Sequence, residues 1–312
     1  MIFTVTLNPA IDKSVTVSNF EVDAVNRVTS MRIDAGGKGV NVSKVLKELG
    51  GASVATGFVG GAAGETLLRA LRQMEIPCEF IEVKGSTRTN LKVVDPAKRT
   101  YTDINEPGPA VGEAEAEQLL EYLMKAANPG DTVVFAGSSP VGIGDALPMQ
   151  WARELKSRGI RVVADLDGER LSHMVAGKPF LIKPNAQELQ ELLGLSDTTA
   201  GTLAQAASQL VGEGISHVVV SMGKDGALFA SSESVLFARG PKIEAVSTVG
   251  AGDTLLGALL FAFEQKMSRE EAARFAVAAA TAKVMCPGSS PPAYEEVCKY
   301  IGQIEITALA QE

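Results

Sequence analysis

Thr132–Asp165, TVVFAGSSPVGIGDALPMQWARELKSRGIRVVAD, is the stretch from which the fold reads most directly. Thr132–Ala136 and Arg161–Asp165 are short apolar β-type runs without polar alternation, and Ala146–Arg158 between them has helical periodicity. A continuously apolar strand is buried on both faces, and a helix between two such strands is the crossover of a parallel sheet. The rhythm extends outward. Further strands are expected at Ile2–Leu7, Ser53–Val59, Phe180–Lys183 and His217–Ser221. Helices are expected at Val40–Leu49, Glu65–Met74, Glu113–Lys125 and Leu203–Val211. The reading is an α/β protein with a mostly parallel sheet covered on both faces.

Two stretches break this rhythm. Lys13–Ile33 and Thr87–Ile104 are polar, β-branched and alternating, as half-exposed strands are. They predict a small antiparallel flap over the sheet; ordinary surface hairpins would show the same pattern. No Pro/Ser-rich linker or internal repeat appears, so residues 1–312 are read as one domain with a lid.

Composition narrows the function. The chain is 46% hydrophobic and 21% charged, with net charge −8. No global basic field exists to draw it to nucleic acid or anionic lipid, and an anionic substrate must be held by locally placed cations and amides. Three cysteines without a CxxC pair suit a reduced compartment. Two histidines, His173 and His217, leave little for a zinc site or a Ser-His-Asp hydrolase. The start, MIFTVTLNPAID, lacks the basic and long apolar regions of a signal peptide, and Leu255–Phe263 is too short to span a bilayer. The expected compartment is the cytoplasm.

Ser247–Phe263, STVGAGDTLLGALLFAF, carries the most chemistry. Its turn Gly250-Ala251-Gly252 runs into a strongly apolar helix. The first amides of a helix lack internal partners and point outward, and glycines let a phosphoryl group approach them. Asp253 sits in the first turn, where the helix dipole favours the ionised carboxylate that a proton acceptor needs. A plain glycine turn followed by an acidic residue is the structural alternative.

Four other segments add partners. In Ala35–Val42, AGGKGVNV, Lys38 would balance substrate charge and Asn41 would bond sugar hydroxyls. It is neither a Walker A loop nor a full dinucleotide fingerprint. In Leu181–Leu193, LIKPNAQELQELL, Asn185 and Glu188 stand at capping-box spacing. Alternatively, Glu188 helps position Mg²⁺ through water, with Lys183 reaching a phosphate from a strand end. In Val218–Leu228, a strand ends at Ser221 and turns at Gly223 and Gly226, beside a nucleotide or as a tight hairpin. Arg88, in Thr87-Arg88-Thr89-Asn90, offers a planar fork suited to a phosphate, although a single Arg is usually solvated.

Together these segments resemble the PfkB, or ribokinase-like, family of carbohydrate kinases. GGKGVN resembles its early glycine motif, TVGAGDT its late signature and KPNAQE its Asn-x-x-Glu motif. GSSP at Gly137–Pro140 is close to the usual GSLP, departing at Ser139. The resemblance implies a ribokinase-like fold with a β-lid, and transfer of the γ-phosphate of ATP to a sugar hydroxyl with Mg²⁺. It makes Asp253 the base, Gly250, Ala251 and Gly252 the anion hole, and Asp12, Gly37, Lys38, Asn41 and Ser138 substrate positions. Lys183, Asn185, Glu188, Ser221, Gly223 and Gly226 become nucleotide positions, Glu188 with the metal through water. TLNPAID and NEPGP resemble the phosphofructokinase and tagatose-phosphate kinase branch, with Arg88 on the substrate phosphate. The expected acceptor is fructose 1-phosphate, ahead of tagatose 6-phosphate and fructose 6-phosphate. Exposed lid edges would pair two subunits into a homodimer. A sugar-phosphate sensor without catalysis and a nucleotide-cofactor oxidoreductase are the rivals. The first fits the Asp253 constellation poorly, and the second lacks a GxGxxG after the first strand.

Overall fold

The computed structural model describes residues 1–309. Its strands and helices are numbered in chain order. Seven strands form a parallel block: β1 (Ile2–Thr6), β4 (Ser53–Val59), β5 (Cys78–Glu82), β8 (Thr132–Ala136), β9 (Arg161–Asp165), β10 (Leu181–Ile182) and β11 (His217–Ser221). Three antiparallel strands extend it, β12 (Ala227–Ser231), β13 (Val235–Arg239) and β14 (Glu305–Leu309). The order across the sheet is β14-β13-β12-β11-β10-β9-β8-β1-β4-β5.

The apolar strands divide their side chains between two cores. Val133 and Phe135 face one core with Leu119 of α3 (Glu113–Ala126), Leu155 of α4 (Leu147–Ser157) and Leu171 of α5 (Gly168–Ala176). Leu189 of α6 (Ala186–Leu193) and Leu203 of α7 (Ala200–Gly212) complete that side. Val134 and Ala136 face the other core, with α1 (Lys38–Glu48), α8 (Ala251–Glu264), α9 (Arg269–Lys283) and α10 (Tyr294–Ile301). A smaller cluster seats α2 (Gly61–Gln73) against Ala55 and Val59. Period-2 alternation between two apolar layers is why these strands read as unbroken hydrophobic runs.

A second sheet has the order β3-β2-β6-β7, from β2 (Ala10–Thr16), β3 (Ser30–Gly36), β6 (Arg88–Asp95) and β7 (Thr100–Asn105). It is not the wholly antiparallel flap expected. Each hairpin, β2–β3 and β6–β7, is antiparallel, but β2 and β6 pair in parallel. The two hairpins leave the main sheet from β1 and β5, parallel strands that flank β4, so they run outward in the same direction and their inner strands meet side by side.

Residues 223–226 form a tight turn between β11 and β12, so the hairpin reading of Val218–Leu228 holds in the backbone. No helix among the described residues is long and apolar enough to cross a membrane. The carboxyl ends of β1, β8, β9, β10 and β11 all open on one edge of the sheet, below the lid. Parallel sheets usually bind ligands at that edge.

Candidate active site

Helix α8 is buried from Asp253 to Ala262, so its first turn is held rigidly by the core behind it. The chain enters it through Gly250 at φ 76°, ψ 7°, a left-handed conformation that side-chain-bearing residues adopt at a cost. Among the described residues no side chain caps this N-terminus, and apart from the Ala251 N–H, which donates to the Thr248 carbonyl at 3.3 Å, its leading amides remain for a ligand. Beside the turn lies a cavity of about 730 Å³, lined among others by Ser221, Gly223, Gly226, Thr248, Ala251 and Gly252. Three expected nucleotide positions and two anion-hole positions therefore share one space.

Asp253 is 7% exposed. Asn41 Nδ2 donates to its Oδ2 at 2.7 Å. Burial raises its pKa, and the negative charge of Asp165 adds to the rise. The Asn41 hydrogen bond and the charges of Lys183 and Lys38 oppose it, and the carboxyl is pushed up to about 6. Burial favours the neutral acid because the carboxylate loses hydration.

Asp165 organises the cations. It closes β9 at 1% exposure, with Lys38 Nζ at 2.9 Å from Oδ1 and Lys183 Nζ at 3.0 Å from Oδ2. Burial works against its charge, but the two lysines outweigh it and hold the carboxyl below the usual range. Lys38 is also disfavoured by burial, yet Asp165 keeps its ammonium above the ordinary lysine value. Lys183 Nζ would lie 3.3 Å from a Cβ built on Gly252, so it flanks the α8 N-terminus. Gly37, the residue before α1, has φ 110°, and a Cβ there would meet Thr6 at 2.6 Å. The glycine lets α1 start against the end of β1.

Asn185 and Glu188 form the capping box of α6: Asn185 Oδ1 accepts the Glu188 amide, and Glu188 Oε2 accepts the Asn185 amide, each at 2.8 Å. Asn185 also bridges to Ser221, beside the cavity. Under the lid, Asn90 Nδ2 donates to Asp12 Oδ1 at 3.0 Å, and burial raises the Asp12 pKa. Arg88 Nη2 donates to the Asn8 carbonyl at 2.9 Å and to Ser138 Oγ at 3.2 Å, with Nη1 on the Glu106 carbonyl at 3.4 Å. Arg88 Nε, Asn8 Oδ1, Asn90 Oδ1 and Ser139 Oγ are buried without a hydrogen-bond partner. Buried polar atoms without partners are uncommon, and four around one lid base mark a place where a polar ligand would satisfy them.

The expected residues thus fall into two linked groups. Asp253, Gly250–Gly252, Lys38, Asn41 and Lys183 meet around α8, while Asp12, Arg88 and Ser138 lie under the lid. Asn41 is 8% exposed, and both ends of its amide are engaged within the protein, Nδ2 on Asp253 and Oδ1 on Lys44. The sequence reading assigns no role to Asp165, Asn8, Asn90 or Lys44. For Asp165 the signal was an acid closing an otherwise apolar strand. For Lys44 there was none, because a lysine in a helix reads as solvated.

The profile of the pfkB family of carbohydrate kinases matches residues 5–296. A 1-phosphofructokinase of Bacillus subtilis is 40% identical over 282 residues, covering 90% of this chain and 92% of that protein. A tagatose-6-phosphate kinase of Staphylococcus epidermidis is 33% identical over 274 residues, covering 87% and 88%. Among solved structures, phosphofructokinase-2 from Escherichia coli in complex with substrates and products superposes with a TM-score of 0.92 at 33% identity, covering 96% of this chain and 98% of that one. A glycine-opened helix bearing a buried carboxylate, a nucleotide-sized cavity and a lid over an unsatisfied polar floor all agree with these likenesses. The chain belongs to the PfkB family of carbohydrate kinases.

Proposed function

We propose that this ATP-using sugar kinase phosphorylates fructose 1-phosphate to fructose 1,6-bisphosphate, with Asp253 as the base. The observation that carries the reading is Asp253, buried in the first turn of α8, the helix whose leading residues Ala251 and Gly252 line the nucleotide-sized cavity. In-line transfer needs little covalent assistance, so a carboxylate that orients and deprotonates the hydroxyl is sufficient. The Gly250–Gly252 amides receive the charge of the transferring phosphoryl group, and Lys183 flanks them. Asp12 and Asn90 orient sugar hydroxyls, while Arg88 and Ser138 hold the phosphate already present. Lid closure excludes water that would compete as acceptor.

Among the described residues, no group of three or more His, Cys, Asp or Glu could cage a metal ion. Mg²⁺ needs no such cage, since it is usually carried on substrate phosphates with one or two carboxylates and several waters. Glu188 would be its protein partner through water, since its Oε2 caps α6 and Oε1 remains for that contact. When bound, the ion neutralises phosphate charge.

The acceptor is tested by comparing kcat/KM for fructose 1-phosphate, tagatose 6-phosphate and fructose 6-phosphate, with the unphosphorylated sugars alongside. The highest value on fructose 1-phosphate supports the proposal; equal rates on a free sugar would remove the phosphate-holding role of Arg88. Tagatose 6-phosphate is the second reading, favoured by the likeness to the S. epidermidis kinase. Arg88→Ala should raise KM for the phosphosugar about ten- to a hundredfold, the scale of one charged hydrogen bond, and leave KM for ATP within about twofold. Equal weakening of both substrates would move Arg88 out of the acceptor site.

Activity should follow the ionisation of Asp253. With its carboxyl pushed up to about 6, kcat/KM should level off above that pH. Below it, kcat/KM should fall about tenfold per pH unit as the base protonates. A flat profile between pH 5 and 7, taken with buffers of constant ionic strength, would contradict the assignment.

The lid also bears on assembly. By strand register, Asp12 and Asn90 share one lid face, whereas Met31, Val15, Val93, Leu91, Ile33 and Ile104 share the other. Met31, Ile33 and Ile104 are exposed. An apolar face opposite the substrate face supports a homodimer formed through the lids, which sedimentation of the purified protein would test.

A further inference from the structure

Lys44 lies in the middle of α1 at 3% exposure, a position where an ammonium is rarely tolerated without a compensating partner. Among the described residues, no carboxylate bonds it. Nζ donates instead to the Ala35 carbonyl, to Asn41 Oδ1 at 3.1 Å and to Ser289 Oγ at 3.3 Å. An ammonium has three protons, and these three acceptors account for them. The cation is therefore fully committed to neutral groups, one of which is the amide that touches Asp253.

We propose that Lys44 is a positioning residue for phosphoryl transfer, holding the Asn41 amide in the single orientation that presents Nδ2 to Asp253. An amide has a donor end and an acceptor end of nearly the same shape. Rotated by half a turn, Asn41 would set Oδ1 against the carboxylate and its NH2 against the ammonium, two meetings of like sign. Lys44 excludes that arrangement and so secures the 2.7 Å bond that steadies the ionised base. The same ammonium grips Ala35 at the root of β3, so the amide is anchored to the lid as well as to α1.

Other charges surround the pair. Lys38 shares α1 with Lys44, Asp165 ends β9, Lys183 follows β10 and Lys283 belongs to α9, where its Nζ bonds the Gly288 carbonyl at 2.9 Å. Around Lys44 itself stand Asp34 and Arg32 of β3, Asp12 of β2 and Asp253 of α8; burial pulls its pKa down to about 8 against the acids. None of the other cations bonds Asn41.

The inference rests on Asp253 as the base, and the test separates the two. Lys44→Met, Lys44→Gln, Asn41→Ala and the Lys44→Met/Asn41→Ala pair are compared in the full chain. Lys44→Met should lower kcat about ten- to a hundredfold with KM for ATP within about twofold. In the Asn41→Ala background the same change should add no more than about threefold, because the path from lysine to base is already cut. The Asp253 carboxyl band, identified by infrared difference against Asp253→Asn, should titrate at higher pH in Lys44→Met than in the parent protein. If Lys44→Met does not fold, Lys44→Gln is read by the same criteria. Unchanged kcat, full additivity with Asn41→Ala or an unmoved carboxyl midpoint would each overturn the proposal. If the parent protein turns over none of the phosphosugars, the kinase reading of this acceptor fails, and the infrared midpoint is read in Lys44→Met with and without Asn41→Ala: a rise that Asn41→Ala abolishes supports Lys44, and a rise that persists unchanged overturns it.

Discussion

Asp253→Asn is expected to lower kcat by about two to four powers of ten while both substrates still bind, the usual scale for removing a general base. The substitution keeps size and shape, and Asn41 Nδ2 retains an oxygen to bond in place of Oδ2. What disappears is only the ability to accept a proton. The side chain sits in a buried first turn, where a substitute base would need room that the packing does not leave. Both Asp165 oxygens already face lysines within 3.0 Å, which leaves that carboxylate poorly suited to act as a substitute. Turnover near that of the parent protein would exclude Asp253 as the base. The variant should also lose the acid limb of the pH profile, since the group responsible no longer titrates.

The second large effect is expected on stability. Asp165→Ala should cost about 3–5 kcal/mol, the range for breaking a buried ion pair by removing one partner. Lys183, with 6% side-chain exposure, would be left without a carboxylate in a site that water hardly reaches. Lys38 keeps 34% side-chain exposure and can be solvated, so most of the loss should come from Lys183. Urea denaturation followed by circular dichroism measures this directly. A loss below about 1 kcal/mol would show that the pair contributes no more than a surface bridge does. Lys183→Met combined with Asp165→Ala should recover part of the loss, because replacing both partners removes the unpaired charge. The linkage between these residues also means that activity losses in Asp165 variants must be read beside their stability.

Several features were legible in the chain before any coordinates. The run TVVFA and the run RVVAD lie where the sheet places β8 and β9, and SVATGFV coincides with β4. The GAGD turn opens α8 as its glycines and apolar sequel suggest. Asn185 and Glu188 make the capping box that their spacing implies. The antiparallel extension from β12 to β14 and the helices α5, α9 and α10 were not assigned. Their signals are weaker, since α9 is an alanine-rich helix with apolar residues on most sides.

By itself, then, the order of residues determined the layering, the two-core alternation and the position of the Asp253 carboxylate at a glycine-opened helix. Each depends on spacing within one element, where backbone geometry converts periodicity into a face. Tertiary structure decided who meets whom. Asn41 and Asp253 are 212 positions apart, and Lys38 is 127 from Asp165. Those meetings follow from α1 packing against α8 on one face of the sheet and from β9 lying two strands from β1. No local pattern encodes such neighbours, because strand order is settled by how whole layers pack, and buried charges find their partners only after that packing is complete.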